Sequence, residues 1–296
     1  MEINEHCLLT IAIPTFNRPE KIKKQVVNLI PLLNDEVLLI IIDNHGDIEV
    51  STLFQDVRLP HNVIFIRNRY NIGADANIAK CFELCETQWL WTLSDDDIAT
   101  IESVDIVLNT IKENNNSLMV NFNPKHELLI NNVNILLDNC DSSLYSSLFW
   151  MSSCVYNVKK LAPYMSYYYS AMSTMQPGIP LIVKALELEK DAYVLVKNNI
   201  LTNGACDGDI SWNRTRFVYS SLFLIDLLRE MPKKQFEKIE WTVSESCLIA
   251  IVKSKKFGLK FRDLMTLYDA VRKRVGICFF IKNIRFFLFY LTKILR

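Results

Sequence analysis

Glycine is scarce in this chain, seven residues in 296. Neither Gly-x-Gly-x-x-Gly nor Gly-x-x-x-x-Gly-Lys-Ser/Thr occurs, so the glycine-rich phosphate cradles of dinucleotide and P-loop folds are excluded. Any diphosphate must be met by a metal or by arginines such as Arg18, Arg67 or Arg69. The eight cysteines (Cys7, Cys81, Cys85, Cys140, Cys154, Cys206, Cys247, Cys278) form no Cys-x-x-Cys pair. Cys81 and Cys85 share a helical face, too few ligands for zinc. A chain this long and apolar needs no disulfide staples, so free thiols in a reducing cytoplasm are expected. His6, His45, His61 and His126 do not cluster at ligand spacing. Lysine and arginine (33) balance aspartate and glutamate (33), so no net charge draws the chain to nucleic acid. No run of eighteen uncharged apolar residues occurs, and no transmembrane span is expected. Met1 to Glu5 has two acidic residues and no apolar core, unlike a signal peptide.

What the chain has in abundance is short apolar runs separated by helical patterns. Leu8 to Ile13, Val37 to Ile42, Val63 to Ile66, Trp89 to Leu93 and Leu118 to Phe122 read as strands. Residues 20–31, 74–85 and 100–113 read as helices, with Pro19 suited to a first turn and Ile22, Val26, Leu29 and Ile30 inward. Strands apolar throughout and alternating with helices predict a mostly parallel sheet covered on both faces. In such a sheet the polar loops after the strands share one edge, where ligands bind. Thr15, Asn17, Arg18, Asp43, Asn44, Asn71, Gly73 and Asp95 to Asp97 all follow strand ends and are expected to converge there.

The most unusual stretch is Gln88 to Ile98, a strand ending in Asp95-Asp96-Asp97. Three adjacent carboxylates repel one another and are costly to desolvate. A divalent cation resolves this, and clustered carboxylates are hard oxygen ligands suited to Mg²⁺ or Mn²⁺. The competing reading is a solvated loop with an aspartate capping the helix near Ile101.

These residues carry a family resemblance. Pro14-Thr15-Phe16-Asn17-Arg18 resembles the opening loop of family 2 glycosyltransferases with the GT-A fold. Ile42-Asp43-Asn44 resembles the acidic end of their second strand, Asn71-Ile72-Gly73 with Asn77 the segment after their third, and Leu93-Ser94-Asp95-Asp96-Asp97 their Asp-x-Asp-type motif. The four follow in order over residues 8–125. The resemblance implies a nucleotide-sugar donor: Pro14 to Arg18, Asp43 and Asn44 at base and ribose, and Asn71, Gly73 and Asn77 shaping the wall. Asp95 would face the ribose, Asp96 would be the first choice as direct ligand of Mn²⁺ or Mg²⁺, and Asp97 would bind metal or orient the acceptor. It also implies inversion at the anomeric carbon. For Asn71, Gly73 and Asn77, turn formation and helix capping are the plain structural alternative.

The second half is less legible. Residues 124–150 look like a hairpin or irregular insert. Phe149 to Tyr156 resembles the family segment lining the acceptor side. No acidic residue lies between Asp141 and Glu187, so the catalytic base is left open among Asp97, Asp207 and Asp209, the last two read more readily as a loop turn in which Asp209 caps a helix at 210–230. Tyr164, Tyr167, Tyr168 and Tyr169 are either a sugar-stacking cluster or surface packing. Arg214 or Arg216 is a candidate phosphate contact.

Residues 271–296 read basic, then aromatic. On a helical wheel Arg274, Lys282, Arg285, Lys293 and Arg296 fall within an arc of roughly 100°. This suits a helix lying in the headgroups of an anionic membrane; a helix docked on the protein is the alternative. The expected architecture is a GT-A domain over 1–210 (donor half about 8–125, acceptor half about 126–210) and a helical region over 211–296. The expected protein is a cytoplasmic enzyme, peripheral on the inner membrane face, glycosylating a lipid-diphosphate-linked glycan of the O-antigen or capsule type. A catalytically inactive nucleotide-sugar-binding scaffold and a sugar nucleotidyltransferase remain as alternatives.

Overall fold

The computed structural model of the chain describes residues 6–123, 125, 127–203, 214–254 and 261–282. The strands are β1 (Leu9–Thr15), β2 (Val37–Asp43), β3 (Val63–Arg67), β4 (Trp89–Thr92), β5 (Asp97–Ala99), β6 (Met119–Asn123), β7 (Leu128–Ile130), β8 (Cys154–Asn157), β9 (Val194–Asn198) and β10 (Leu201–Asn203). The helices are α1 (Pro19–Leu29), α2 (Ala74–Glu83), α3 (Ser103–Glu113), α4 (Val133–Asn139), α5 (Ser142–Phe149), α6 (Val158–Leu161), α7 (Met165–Ser170), α8 (Gly178–Leu188), α9 (Arg214–Leu227), α10 (Lys233–Ser254) and α11 (Phe261–Lys282).

Eight strands form one sheet in the order β3-β2-β1-β4-β8-β6-β9-β7, and β5 pairs with β10 in a small second sheet. β3, β2, β1 and β4 are parallel, as is β6 with β9. The five expected strands and three expected helices of the first half are present, with ends shifted by a few residues. β8 was not foreseen as a strand. It runs antiparallel between β4 and β6, pairing Trp91 with Val155 and Val120 with Val155. Its direction matters: the residues just before it, 150–153, are delivered to the same edge at which the parallel strands end.

The two sheet faces have separate cores. Ile11, Ile13, Trp89 and Trp91 pack with Ile22 and Val26 of α1 and Val107 of α3. Ala12, Leu38, Ile40 and Leu90 pack with Phe82 of α2 and with Leu144, Leu181, Phe217, Leu224 and Val243 of the later helices. Strands covered on both faces are apolar at every position, which is why β2 reads as an unbroken Val-Leu-Leu-Ile-Ile-Ile run.

Residues 124–150 contain more order than expected. β7, α4 and α5 occupy most of that range. Asn132 accepts a hydrogen bond from the Ile135 amide, and Asp141 accepts from Ser143 and Leu144, so each caps a helix. The helix expected at 210–230 is described from Arg214.

The basic tail departs from one continuous wheel. Leu267 and Val271 of α11 are buried, and Arg274 donates to Asp226 of α9 at 2.7 Å. The first part of the tail is therefore docked on the protein. At Gly276 the backbone is non-helical (φ 75°, ψ 172°), which breaks the helical phase between Arg274 and the later cations. Residues 283–296, with Arg285, Lys293 and Arg296, lie outside the described residues. No helix among the described residues is long and apolar enough to cross a membrane.

The small sheet is tied to α3 by one side chain. Ser103 is fully buried; its Oγ accepts from the Thr100 amide at 2.7 Å and donates to the Ile200 carbonyl at 2.6 Å. Ser103→Ala strands both backbone groups, and a stability loss of about 1–3 kcal/mol is expected in denaturant titration. An unchanged midpoint would show that the β10 edge is held by other contacts.

Candidate active site

The register places Thr15 beside Asp43, and Asp43 beside Arg67, at the ends of β1, β2 and β3. The acidic triplet follows β4 at the same edge. Asp95 is buried and accepts a hydrogen bond from Thr15 Oγ1 at 2.7 Å and an ion pair from Arg18 Nη1 at 2.6 Å. Arg18 Nη1 also reaches Asp96 Oδ2 at 3.2 Å, and Lys21 Nζ lies 3.6 Å from the same oxygen. Ser94 Oγ donates to the other Asp96 oxygen at 2.6 Å. The loop after β1 and the loop after β4 are thus joined by charge, as the shared-edge reading required.

Asp97 faces elsewhere. Its Oδ2 accepts from Ser152 Oγ at 2.6 Å and from Trp150 Nε1 at 2.8 Å. Its Oδ1 accepts no hydrogen bond among the described residues. Its backbone opens β5 opposite Asn203 rather than capping a helix. The three carboxylates expected around one ion therefore have three different sets of partners, and no cluster of three metal-ligating side chains occurs among the described residues.

Burial raises the pKa of both Asp95 and Asp97. For Asp95 the opposing effects are the Thr15 hydrogen bond and the Arg18 charge; for Asp97 they are Ser152 and Trp150. Asp97 has no cation among these causes, so its carboxylate is held by neutral donors alone.

The wall at the ends of β2 and β3 rests on amides. Asp43 accepts from the amides of Gly46 (2.9 Å) and Val50 (3.3 Å) and from Arg67 Nη1 (3.0 Å). Arg67 also donates to the Gly46 carbonyl, so it braces this loop while paired with Asp43. Asn44 donates to Asn71 at 2.9 Å and accepts from the Ile72 amide at 3.0 Å. Asn68 bridges Asn44 and Asn77 at 2.9 and 2.7 Å. Asn44 and Asn77 are buried and act within the wall, whereas Asn71 is exposed at its surface. Gly73 has φ +83°, a conformation that favours glycine. Pro14 lies inside β1, which runs on to Thr15, Phe16 is 41% exposed, and Asn17 takes φ 52° with its side-chain Oδ1 accepting from the Asp47 amide at 2.7 Å. A Cβ at Gly46 would meet Asn17 Oδ1 at 2.8 Å, so these two loops pack at backbone distance.

Several contributors escaped sequence reasoning. Gln25 Nε2 donates to the carbonyls of Asp97 (2.7 Å) and Ser94 (3.2 Å), fixing the turn that carries the triplet. Its signal was a polar residue on the buried stripe of α1, between Ile22 and Val26. Nothing local marked Lys21, Asn68 or the pairing of Ser152 with Asp97. The tyrosine cluster divides: Tyr168 is core, its ring tilted against that of Phe82 with centroids 4.6 Å apart, while Tyr167 and Tyr169 are exposed. Arg216 pairs with Asp75 at the start of α2. Asp207 and Asp209 lie outside the described residues, as does the Arg214 side chain. Burial pushes the thiols up, Cys7 to about 11 and Cys140 and Cys247 to about 12, so none of these is poised as a nucleophile.

Residues 10–145 match the family model described as Glycosyl transferase family 2. A search of curated proteins gives no match. Among solved structures the chain is similar to S. aureus TarS 1–349 in complex with UDP-GlcNAc (10% identity, TM-score 0.61, 91% of this chain and 82% of that one). It is also similar to the mannosyltransferase PcManGT from Pyrobaculum calidifontis in complex with GDP-Man and Mn²⁺ (10%, 0.55, 97% and 85%). A third is glucosyl-3-phosphoglycerate synthase from Mycobacterium tuberculosis in complex with Mn²⁺, UDP and phosphoglyceric acid (10%, 0.50, 76% and 80%). At such identities these structures establish the fold. With the match of residues 10–145 to that family model, the chain is a GT-A-fold protein and an enzyme of the glycosyltransferase class.

Proposed function

We propose that the protein transfers a sugar from a nucleotide-sugar donor to a hydroxyl of a lipid-linked glycan, with inversion. The observation that carries the donor side is the Thr15–Asp95–Arg18–Asp96 cluster, which gathers two strand-end loops into one charged edge. The loop Pro14 to Arg18, with Asp43, Asn44, Asn71, Gly73, Asn77 and Asp95, forms the donor wall in this reading. The solved relatives held UDP-GlcNAc, GDP-Man and UDP, which supports a nucleotide-sugar donor of that kind.

A metal fits one form of this site and not another. A cage of three aspartates does not fit, since Asp95 and Asp97 are turned to protein partners. Metals of the Mg²⁺ type, however, are commonly held by one or two carboxylates plus substrate phosphates. Asp96 suits that role: it is the most accessible of the three at 18% side-chain exposure, and its Oδ2 has only the long contacts to Arg18 and Lys21. When bound, Mn²⁺ or Mg²⁺ would stabilise negative charge on the departing diphosphate. Arg18 and Lys21 hold positive charge at the same place, and Arg18 is already oriented by Asp95.

Asp97 is the candidate base. The acceptor oxygen attacks the anomeric carbon, its proton passes to Asp97 Oδ1, and the bonding pair of the anomeric carbon–phosphate oxygen bond leaves with the nucleoside diphosphate. Trp150 and Ser152 fix the opposite oxygen, so Oδ1 is the one presented. A pKa raised by burial makes this carboxylate a stronger base than an exposed aspartate.

A lipid-linked acceptor of a surface polysaccharide is supported by the run of cations and aromatics from Lys282 to Arg296, which has no acidic residue.

Two experiments test the site. Calorimetry with a panel of UDP- and GDP-sugars, with and without Mn²⁺, should show donor binding strengthened by the metal, and Asp96→Ala should abolish that strengthening while the circular dichroism spectrum is unchanged. Absence of nucleotide binding in both conditions refutes the function. Asp97→Asn should abolish transfer while raising stability at neutral pH, because the ionised form carries the desolvation cost. That gain should shrink as pH falls through the raised pKa of folded Asp97 and vanish below its unfolded pKa. A pH-independent difference would show that folding does not shift the Asp97 pKa.

A further inference from the structure

A cavity of about 60 Å³ lies beside the strand-end edge, on the sheet face covered by α2, α5 and α8. Three of its lining residues belong to that edge. Thr92 ends β4 three residues before Asp95, Met151 stands between Trp150 and Ser152, and Asp75 follows Gly73 by two. Thr92 Oγ1 donates to the Met151 carbonyl at 2.9 Å, which ties the end of β4 to the segment before β8. Much of the remaining lining is apolar, with Phe82 of α2, Leu148 of α5, and Met172 and Met175 from the turn between α7 and α8.

Most polar groups at the cavity already have partners. Asp75 pairs with Arg216. Gln176 accepts from the Tyr145 hydroxyl and donates to Ser221 Oγ at 2.6 Å. The Tyr156 hydroxyl bonds the Cys154 thiol, and a Cβ at Gly178 would meet that hydroxyl at 2.7 Å, so glycine there leaves it room. Tyr168 is the exception. It is 3% exposed, and its hydroxyl has no hydrogen-bond partner among the described residues. Phe82 fixes both tyrosine rings, with centroids 4.6 Å from Tyr168 and 5.1 Å from Tyr156. Burial pushes the Tyr168 pKa well above the usual phenol range, so the group stays a donor. The charge of Asp75, another lining residue, reaches it. A buried donor without an acceptor is costly, and the cavity is where an acceptor fits.

Size and charge narrow what that acceptor is. At about 10–15 Å³ for each water-sized group, the cavity takes roughly four to six non-hydrogen atoms. No lysine, arginine or histidine lines it, which disfavours a phosphate or carboxylate. The methionines suit a small apolar group. A carbonyl oxygen carrying a methyl meets all three conditions.

We propose that this cavity receives the acetamido group of a sugar bound at the strand-end edge, its methyl among Met151, Met172 and Met175 and its carbonyl oxygen accepting from the Tyr168 hydroxyl. The inference rests on the proposed nucleotide-sugar transfer and names a substituent that the site selects. The same group occurs on donor sugars and on acceptor sugars, and the test separates the two.

Calorimetry on the full chain with Mn²⁺ compares UDP-N-acetylglucosamine with UDP-glucose, and UDP-N-acetylgalactosamine with UDP-galactose. The acetamido member of one pair should bind at least about tenfold more tightly. Tyr168→Phe keeps the ring against Phe82 and should weaken that member alone by about fivefold, leaving UDP binding unchanged. Where both pairs show equal affinities, methyl N-acetylglucosaminide and methyl glucoside are compared in the presence of whichever nucleoside diphosphate binds; a preference there, lost in Tyr168→Phe, assigns the group to the acceptor. No preference from either source overturns the inference and leaves the transferase reading intact. A preference that Tyr168→Phe does not alter also overturns it, in favour of a cavity filled by ordered water. Absence of all nucleotide binding refutes the transferase reading instead. Saturation-transfer NMR on the unmodified chain gives a readout that needs no variant: the acetamido methyl should be the most strongly saturated signal of the sugar, and a methyl weaker than the ring protons overturns the inference.

Discussion

Everything at the catalytic edge follows from the problem of ending a buried strand on three negative charges. Trp89 and Trp91 are fully buried, and four residues after Trp91 the chain presents Asp95. The fold disperses the charge instead of concentrating it. Asp95 is turned toward β1 and neutralised by Arg18, Asp96 is shared between Arg18 and Lys21, and Asp97 is turned toward the segment before β8. Gln25 holds the backbone of the triplet so that the three side chains can diverge. The loop after β1 and the segment before β8 are thereby joined through successive residues of one loop.

That division of labour explains the different electrostatics of neighbours that look identical in sequence. Asp95 is compensated by a guanidinium and serves to orient it. Asp97 is compensated by an indole and a hydroxyl, which hold the carboxylate without cancelling its charge. Identical side chains two positions apart thus sit in opposite electrostatic settings, one beside a cation and one among neutral donors.

The sequence made the first half of the fold legible because each of its signals was local. Strands covered on both faces are apolar throughout, Pro19 marks the start of α1, and polar strand ends mark the edge. Family resemblance over residues 8–125 then assigned roles to that edge. What was not legible depended on contacts distant in sequence. Ser152 meets Asp97 across 55 positions only because β8 enters the sheet in reverse, and nothing in Cys-Val-Tyr-Asn announces its direction. That Arg67 pairs with Asp43 follows from a register that no local signal shows. The tail read as one amphipathic helix because a wheel assumes continuous phase, which Gly276 breaks.

The reversed strand has a consequence for how such a protein can diversify. The position of Trp150 and Ser152 is fixed by the pairing of Val155 with Trp91 and Val120, not by the length of chain that precedes them. Insertions or deletions near β7 and α4 can therefore accumulate while the brace on Asp97 stays in place. The surface around that insert can thus be remodelled without moving the Asp97 carboxylate from its two donors.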